Sequence, residues 1–181
     1  AAALAIYSPA GIVVHTGDFK VDYTPVFGDA IDLQRFGEIG KKGVLALLCD
    51  STNAERPGFT KSEKSVGKTL DNIFAEHKNT RIIIATFASN VDRVQQIINT
   101  ACRYNRKVIV EGRSMVNIIS VAREMEYLKI PDNTLISIEE MENYTDDQLV
   151  LITTGSQGES MAALSRMAAS LHRKVRIKPN D

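Results

Sequence analysis

Hydrophobic and polar positions change period several times along the chain, and each change marks an element. Leu4 to Tyr7 and Ile12 to His15 read as two short strands joined by Ser8-Pro9-Ala10-Gly11, so the chain opens on a hairpin. Between Ile31 and Ile39 the apolar residues Leu33, Phe36 and Ile39 recur at helical spacing, with Gly37 weakening the pattern. Val44 to Cys49 is an unbroken apolar run ending at Asp50, which predicts a strand covered on both faces. Thr60 with Glu63 makes a capping-box pattern ahead of a helical stripe of Val66, Leu70, Ile73, Phe74 and His77.

The cycle then repeats. Arg81 to Thr86 predicts a strand, Asn90 an N-cap, and Val91, Val94, Ile97, Ile98, Ala101 and Tyr104 one face of a helix. Lys107 to Val110 supplies the next strand, and Ser114 caps a helix carrying Met115, Ile118, Ile119, Ala122 and Met125. Thr134 to Ile138 reads as a short strand, Glu139 to Asp147 as a solvated acidic loop, and Leu149 to Thr153 as another strand. Ser156 with Glu159 matches the capping box again, before Met161, Leu164, Ala168 and Leu171; Lys174 to Ile177 reads as a closing strand. Strands alternating with helices of about a dozen residues imply parallel pairing through crossovers, because such helices do not fit in hairpin loops. The predicted fold class is α/β: a doubly wound, mainly parallel Rossmann-like sheet preceded by a β-hairpin. In such sheets ligands bind beyond the carboxyl ends of the strands, where the strand order reverses.

Composition narrows the possibilities. With 181 residues, 44% hydrophobic and 24% charged, the chain has material for a core and is not a disordered sequence. No apolar run approaches the roughly 20 residues that cross a bilayer, and no secretory leader pattern opens the chain, so a cytoplasmic protein without a membrane partner is expected. Lys plus Arg and Asp plus Glu both number 22, so any polyanion site has to be local. Cys49 and Cys102 have neither zinc-ribbon nor Cys-x-x-Cys spacing and read as buried, reduced thiols. There are only three histidines, His15, His77 and His172.

Two familiar phosphate motifs are excluded. Gly67-Lys68-Thr69 lacks the glycine five positions earlier and lies inside a helical stripe, and no Gly-x-Gly-x-x-Gly follows a strand. Thr153-Thr154-Gly155-Ser156-Gln157-Gly158-Glu159 is more informative, since a glycine-rich strand-to-helix turn can hold an anion on free amides. Such turns are common, and the alternative reading is that Ser156 does no more than cap its helix. Asp18, in His15-Thr16-Gly17-Asp18-Phe19-Lys20, is placed as a metal ligand or catalytic acid, or as a simple turn residue. Asp50 opens a loop dense in short hydrogen-bonding side chains, Asp50 to Gly58, which reads as a site or as an elaborate turn. The cations of Leu171 to Lys178, with Arg113 and Arg56, form one wall of a polyanion groove or a solvated edge.

Each motif is ambiguous alone, but their order is not. His15 to Lys20, Asp50 to Gly58, Thr86-Phe87-Ala88-Ser89-Asn90, Gly112-Arg113-Ser114-Met115 and Thr154 to Glu159, in that sequence, resemble bacterial ribonuclease J, of the β-CASP branch of the metallo-β-lactamase superfamily. The resemblance covers nearly the whole chain. It implies that Asp18 matches a carboxylate bridging two zinc ions and that Asp50 matches an acidic motif beside the active cleft. It also implies that Gly155, Ser156 and Gly158 hold the 5′-monophosphate of RNA, with Phe87, Ser89 and Arg113 near the RNA path. The chemistry implied is two-metal hydrolysis of a phosphodiester. Members of the family carry a His-x-His-x-Asp-His cluster and further ligand histidines, none of which occurs here.

The expectation is therefore a fragment. Residues 1–30 would be the C-terminal hairpin of a metallo-β-lactamase domain, and residues 31–181 a β-CASP domain incomplete at its C-terminal end. The parent would be a zinc-dependent, homo-oligomeric endo- or exoribonuclease binding single-stranded RNA, with this part inactive by itself. Two rival readings are a stand-alone Rossmann-like module for a nucleotide or sugar phosphate, and a J-like fold that acts on DNA or serves as an inactive scaffold.

Overall fold

The computed structural model describes residues 2–181. The chain divides into two compact units, one running to Ser65 and the other from Val66 to Asp181. Among the described residues, no helix is long and apolar enough to cross a membrane.

In the first unit, β1 (Leu4–Ser8) and β2 (Gly11–His15) form the expected antiparallel hairpin, with Leu4 opposite His15 and Ser8 opposite Gly11. Helix α1 (Leu33–Lys41) starts at Asp32, whose carboxylate accepts the Arg35 N–H at 2.9 Å. It leads to β3 (Val44–Leu48), which runs parallel to β2. Val14 and Ile39 are buried, but β3 is not: Leu45 is 65% and Leu47 61% exposed. The expectation of a strand covered on both faces is corrected here. β3 is the edge of a sheet ordered β1-β2-β3, and its side chains are exposed. For the same reason Cys49, at the exit of β3, is exposed and not a buried thiol. Cys102 is partly buried, with its Sγ 3.5 Å from the Thr134 hydroxyl.

The division between units falls inside helix α2 (Glu63–Glu76). Its expected Thr60 capping box does not form. The helix starts at Glu63, whose N–H donates to Asp22 at 2.9 Å, and the Lys64 N–H donates to the Ser62 hydroxyl at 3.2 Å. The Gly67-Lys68-Thr69 triplet lies within this helix, as its exclusion as a phosphate loop required.

In the second unit, β4 (Ile82–Ala85), α3 (Val91–Arg103), β5 (Lys107–Glu111), α4 (Arg113–Glu124), β6 (Leu149–Thr153) and α5 (Ala163–Ala168) follow in order. The strands are all parallel and lie as β4-β6-β5, with β6 central and every one of its residues buried. Alternate side chains of β6 feed two cores. Val150 and Ile152 pack with Phe74 of α2, Val94, Ile97 and Ile98 of α3, and Met115 and Ile119 of α4. Leu149 and Leu151 pack with Ile136, Ala163, Met167 and Val175 on the opposite face. Helices on both faces of a parallel sheet make the doubly wound α/β class plain. Each fully buried β6 side chain contributes roughly 1.5–3 kcal/mol of hydrophobic stabilisation.

Three boundary expectations are corrected. The strand expected at 134–138 reduces to one parallel bridge, Leu135 to Val108, at the outer edge of β5. The chain moves outward through α4 to this bridge and returns beneath the other face through two 3-10 turns, Ile138–Asn143 and Asp146–Gln148. These turns replace the expected loop, each closed by a reciprocal cap, Ser137 with Glu140 and Thr145 with Gln148. Residues 174–177 form no strand, although Val175 is buried in the second core.

Two buried arginines tie these pieces together. The Arg81 guanidinium grips Asp181 bidentately, at 2.9 and 2.5 Å, and donates to the Arg176 carbonyl at 2.8 Å. Arg106 lies over the Phe74 ring and donates to the carbonyls of Thr80 at 2.7 Å, His77 at 2.5 Å and Leu149 at 3.4 Å. Replacing Arg106 with Met should lower the unfolding free energy by about 2–4 kcal/mol, because buried carbonyls lose their donor. Urea unfolding of the chain checks this: the midpoint should fall with the slope unchanged, and a midpoint equal to that of the parent refutes the assignment.

Candidate nucleic-acid interface

The carboxyl ends of β4, β6 and β5 open into one cleft of about 710 Å³, lined among others by Phe87, Gly112, Arg113, Thr154, Gly155 and Arg166. Its position is the one expected for a doubly wound sheet, since the chain's outward and return crossovers leave the strand ends uncovered at the reversal. Two glycines shape its floor. Gly112, at φ 104°, precedes α4, and a Cβ there would lie 2.9 Å from the Thr154 hydroxyl oxygen. Gly155, at φ 114°, follows β6, and a Cβ there would lie 3.0 Å from the Cβ atoms of both Ala162 and Leu164. Neither backbone conformation nor either space admits a side chain without strain.

Gly112, and not Ser114, occupies the N-cap of α4, and no side chain caps that helix. Ser114 is one of the residues that line the cleft. The expected helix from Ser156 is also corrected: α5 begins at Ala163 and has six residues, so Ser156 and Glu159 make no capping box. Several amides of the intervening turn find acceptors within it. Gly158 N–H donates to Gly155 O at 3.1 Å, Gln157 N–H to the Glu159 carboxylate at 3.2 Å, and Ala162 N–H to Glu159 O at 3.0 Å. Thr154 takes the first two amides of α5, through its hydroxyl at 3.5 Å and its carbonyl at 3.2 Å.

Of the residues singled out from sequence, Phe87, Arg113 and Gly155 meet in this cleft. Ser156 and Gly158 lie on the turn that carries Gly155, outside the lining, and Ser89 is exposed on the β4–α3 loop, also outside it. Arg166, Asn117 and Thr86 belong to the cleft and were not singled out. Thr86 stood at the edge of a quoted motif. Arg166 gave no signal, because the predicted helix was mis-phased, and its true inward residues are Ala163 and Met167.

Asp18 and Asp50 belong to the first unit. Thr16 joins their loops: its N–H donates to Leu48 O at 3.0 Å, and its hydroxyl accepts the Asp50 N–H at 3.0 Å. Asp50 accepts the Thr52 N–H at 3.0 Å and the Thr52 hydroxyl at 2.7 Å. These bonds, the backbone one foremost, hold its carboxyl below the usual aspartate range against a weaker opposing effect of burial, and the Phe19 backbone adds to them. Asp50 faces a second hollow of about 710 Å³ with Phe19, Lys20, Thr52 and Phe59; Asp18 is exposed at the preceding bend and is not part of that lining. His15 Nδ1 accepts the Gly17 N–H at 3.0 Å. Among the described residues, no three of His, Cys, Asp and Glu come together as metal ligands, so the side chains present do not by themselves fit a zinc centre.

Two of the four cations of the stretch 171–178 are paired with carboxylates. Lys174 pairs with Glu139, Lys178 with Asp146 at 2.6 Å, and His172 Nε2 lies 3.3 Å from Glu111. Lys174 and Lys178 thus face the acidic 3-10 turns, and the groove wall expected of them does not form; Arg113 alone of that set stands in the cleft.

Comparison with known proteins agrees with this architecture. The family model of the ribonuclease J β-CASP domain matches residues 79–181. A ribonuclease J of Synechocystis sp. is 48% identical over 178 residues, covering 98% of this chain and 28% of that protein. One from Helicobacter pylori is 47% identical, covering 99% and 26%. One from Mycobacterium tuberculosis is 49% identical, covering 100% and 32%. A crystal structure of an Enterococcus faecalis protein of unknown function superposes with a TM-score of 0.56 at 18% identity, over 82% of this chain and 37% of that one, and shares the fold. The chain therefore spans between about a quarter and a third of the length of these relatives. It belongs to the ribonuclease J family and carries that family's β-CASP domain.

Proposed function

We propose that the chain is the RNA-binding, 5′-phosphate-sensing part of a zinc-dependent ribonuclease that hydrolyses RNA phosphodiesters from the 5′ end, internally, or both. The observation that carries this reading is the convergence of Phe87, Arg113 and Gly155 on one cleft at the strand ends, in a chain of this family. An aromatic platform beside a guanidinium suits single-stranded nucleic acid, with bases stacking on one and phosphate meeting the other. In this reading Ser156 and Gly158 shape the turn against the 5′-monophosphate, and Ser89 lies along the strand's path. Residues 1–30 belong to a metallo-β-lactamase-type domain and residues 31–181 to the β-CASP domain. The parent is a cytoplasmic homo-oligomer, consistent with two unpaired thiols.

Asp18 is the one carboxylate this chain offers to a dinuclear zinc centre whose other donors come from the rest of the protein. Asp50 has a different role. Its bonds from the Thr52 N–H and hydroxyl favour the ionised carboxylate, which suits a group that orients its neighbours by accepting hydrogen bonds. A group with a depressed folded-state pKa lends stability above its unfolded value, and this is lost as pH falls through the folded one.

Three measurements test the reading. The chain should bind 5′-phosphorylated oligoribonucleotides with affinity that grows with length and falls steeply with salt, without cleaving them. Binding that saturates with a mononucleotide favours a simple nucleotide module instead. In the full-length protein, Ser156→Ala should reduce the preference for 5′-monophosphate over 5′-hydroxyl ends several-fold, and an unchanged preference removes Ser156 from the site. Thr52→Val deletes one of the donors to Asp50 and should raise its titration midpoint partway toward that of an ordinary aspartate, read by carboxyl NMR; an unmoved midpoint contradicts the assigned cause.

A further inference from the structure

The charge that would hold RNA in the cleft has to come from somewhere, and part of the turn's backbone is already engaged. A glycine turn binds anions when its amides and a following helix end are free. Here Gln157, Gly158, Ala162, Ala163 and Leu164 all donate inside the turn, three of them to main-chain oxygens. Helix α5 is a turn and a half long, too short to act as a dipole of consequence. The formal positive charge in the lining is carried by side chains.

Two guanidiniums line it, Arg113 on the first residue of α4 and Arg166 on α5, and neither has an ion-pair partner among the described residues. Elsewhere in the same unit Arg81 and Arg103 are matched with carboxylates, and Arg106 with carbonyls. The one carboxylate in the lining, Glu159, accepts the Gln157 N–H, so the lining's formal side-chain balance is two positive and one negative. In the same lining, Phe87 is 46% and Met161 83% exposed, two apolar side chains open at the cleft. Thr86 lines the same cleft, and its buried hydroxyl finds no hydrogen-bond partner among the described residues.

We propose that Arg166 is a phosphate contact acting with Arg113, the two guanidiniums taking an internucleotide phosphate of single-stranded RNA while the neighbouring bases lie on Phe87 and Met161. This rests on the nucleic-acid reading of the cleft and adds to it a residue and a position on the strand. An internal phosphate is assigned because the arginines share their lining with two exposed apolar side chains on which bases can lie, as in a groove that tracks a strand. A guanidinium suits this contact because its planar fork donates two parallel hydrogen bonds to a phosphate, which an ammonium cannot do.

The test uses the full-length protein and fluorescently labelled oligoribonucleotides made resistant to cleavage by phosphorothioate linkages, with binding read by anisotropy across a salt series. Arg166→Gln should weaken binding about tenfold and reduce the slope of log affinity against log salt by about 0.7, the value for one contact on a single strand. The loss should be equal for 5′-phosphate and 5′-hydroxyl strands. Arg166→Lys should restore the salt slope while recovering only part of the affinity, an outcome a merely structural role would not give; it also serves as the test if the Gln variant fails to fold. If Arg113→Gln weakens binding and neither Arg166 variant does, Arg166 is not a contact, and the cleft reading survives without it. If both Arg113→Gln and Arg166→Gln bind as the parent does, the cleft reading falls as well. A loss confined to 5′-phosphorylated strands overturns the assignment to an internal phosphate.

Discussion

Strand β6 has no face turned to solvent, and the rest of the second unit is arranged around that fact. Leu149, Val150, Leu151, Ile152 and Thr153 are all buried, and their alternation sends Val150 and Ile152 into one core and Leu149 and Leu151 into the other. A strand of this kind needs hydrogen-bonded neighbours on both edges and a layer on both faces, because an unpaired amide in such surroundings costs about as much as a lost hydrogen bond. Parallel pairing with β4 and β5 meets the first demand, and helices α2 to α4 on one side with α5, Ile136 and Val175 on the other meet the second. Three parallel strands held in register must end together, so Thr86, Gly112 and Thr154 are brought to one rim although 68 residues separate the first from the last. The cleft is a consequence of the core.

The two arginines buried away from the cleft keep that arrangement closed at its other end. Arg106 collects carbonyls from the end of α2, from the residue two before β4 and from the start of β6, which holds the strand starts at a fixed spacing. Burial lowers its pKa from an already high value, and its worth lies in the directional bonds it makes to backbone oxygens that would otherwise be dry. Arg81 does the same for the chain's last segment through Asp181 and Arg176 O. Neither arginine is available for a ligand, although both count toward a formal charge that looks balanced in composition. What matters for recognition is which cations at the strand ends lack an acidic partner among the described residues, and in the cleft these are Arg113 and Arg166.

Most of the strands and long helices were legible in sequence because period and burial agree there. The 3.6-residue stripe of Val94, Ile97, Ile98 and Ala101 can be satisfied only by a helix against a sheet, and Asn90 caps it by accepting the Arg93 N–H as its position implies. Reading failed where one signal stood for two physical situations. Val44 to Leu48 is as apolar as β6, but periodicity reports what a strand is able to bury and not whether a covering layer exists, so β3 and Cys49 are exposed against expectation. Ser156 and Glu159 have capping-box spacing, but Thr154 already serves the start of α5, and the intervening residues close a turn on themselves. Arg113, flagged through its motif, was recoverable; Arg166 was not, since it depended on the phase of a helix whose start was misplaced by about seven residues.

Thr154 decides how the rim works. Its hydroxyl and carbonyl accept the first two amides of α5, and its Oγ1 is the atom that a side chain at position 112 would strike. It therefore fixes the spacing between the end of β6, the beginning of α4 and the beginning of α5, and by taking the α5 amides it leaves that helix end with little to offer an anion. A pocket built on backbone donors would be small and selective for a terminal phosphate, because those donors converge on a point. Arg113, on the first residue of α4, and Arg166, in the last turn of α5, are exposed on flexible stems, so their guanidiniums reach over several ångströms while a backbone amide cannot. Gly112 and Gly155 leave room at the strand ends, and the two arginines stand in the same lining.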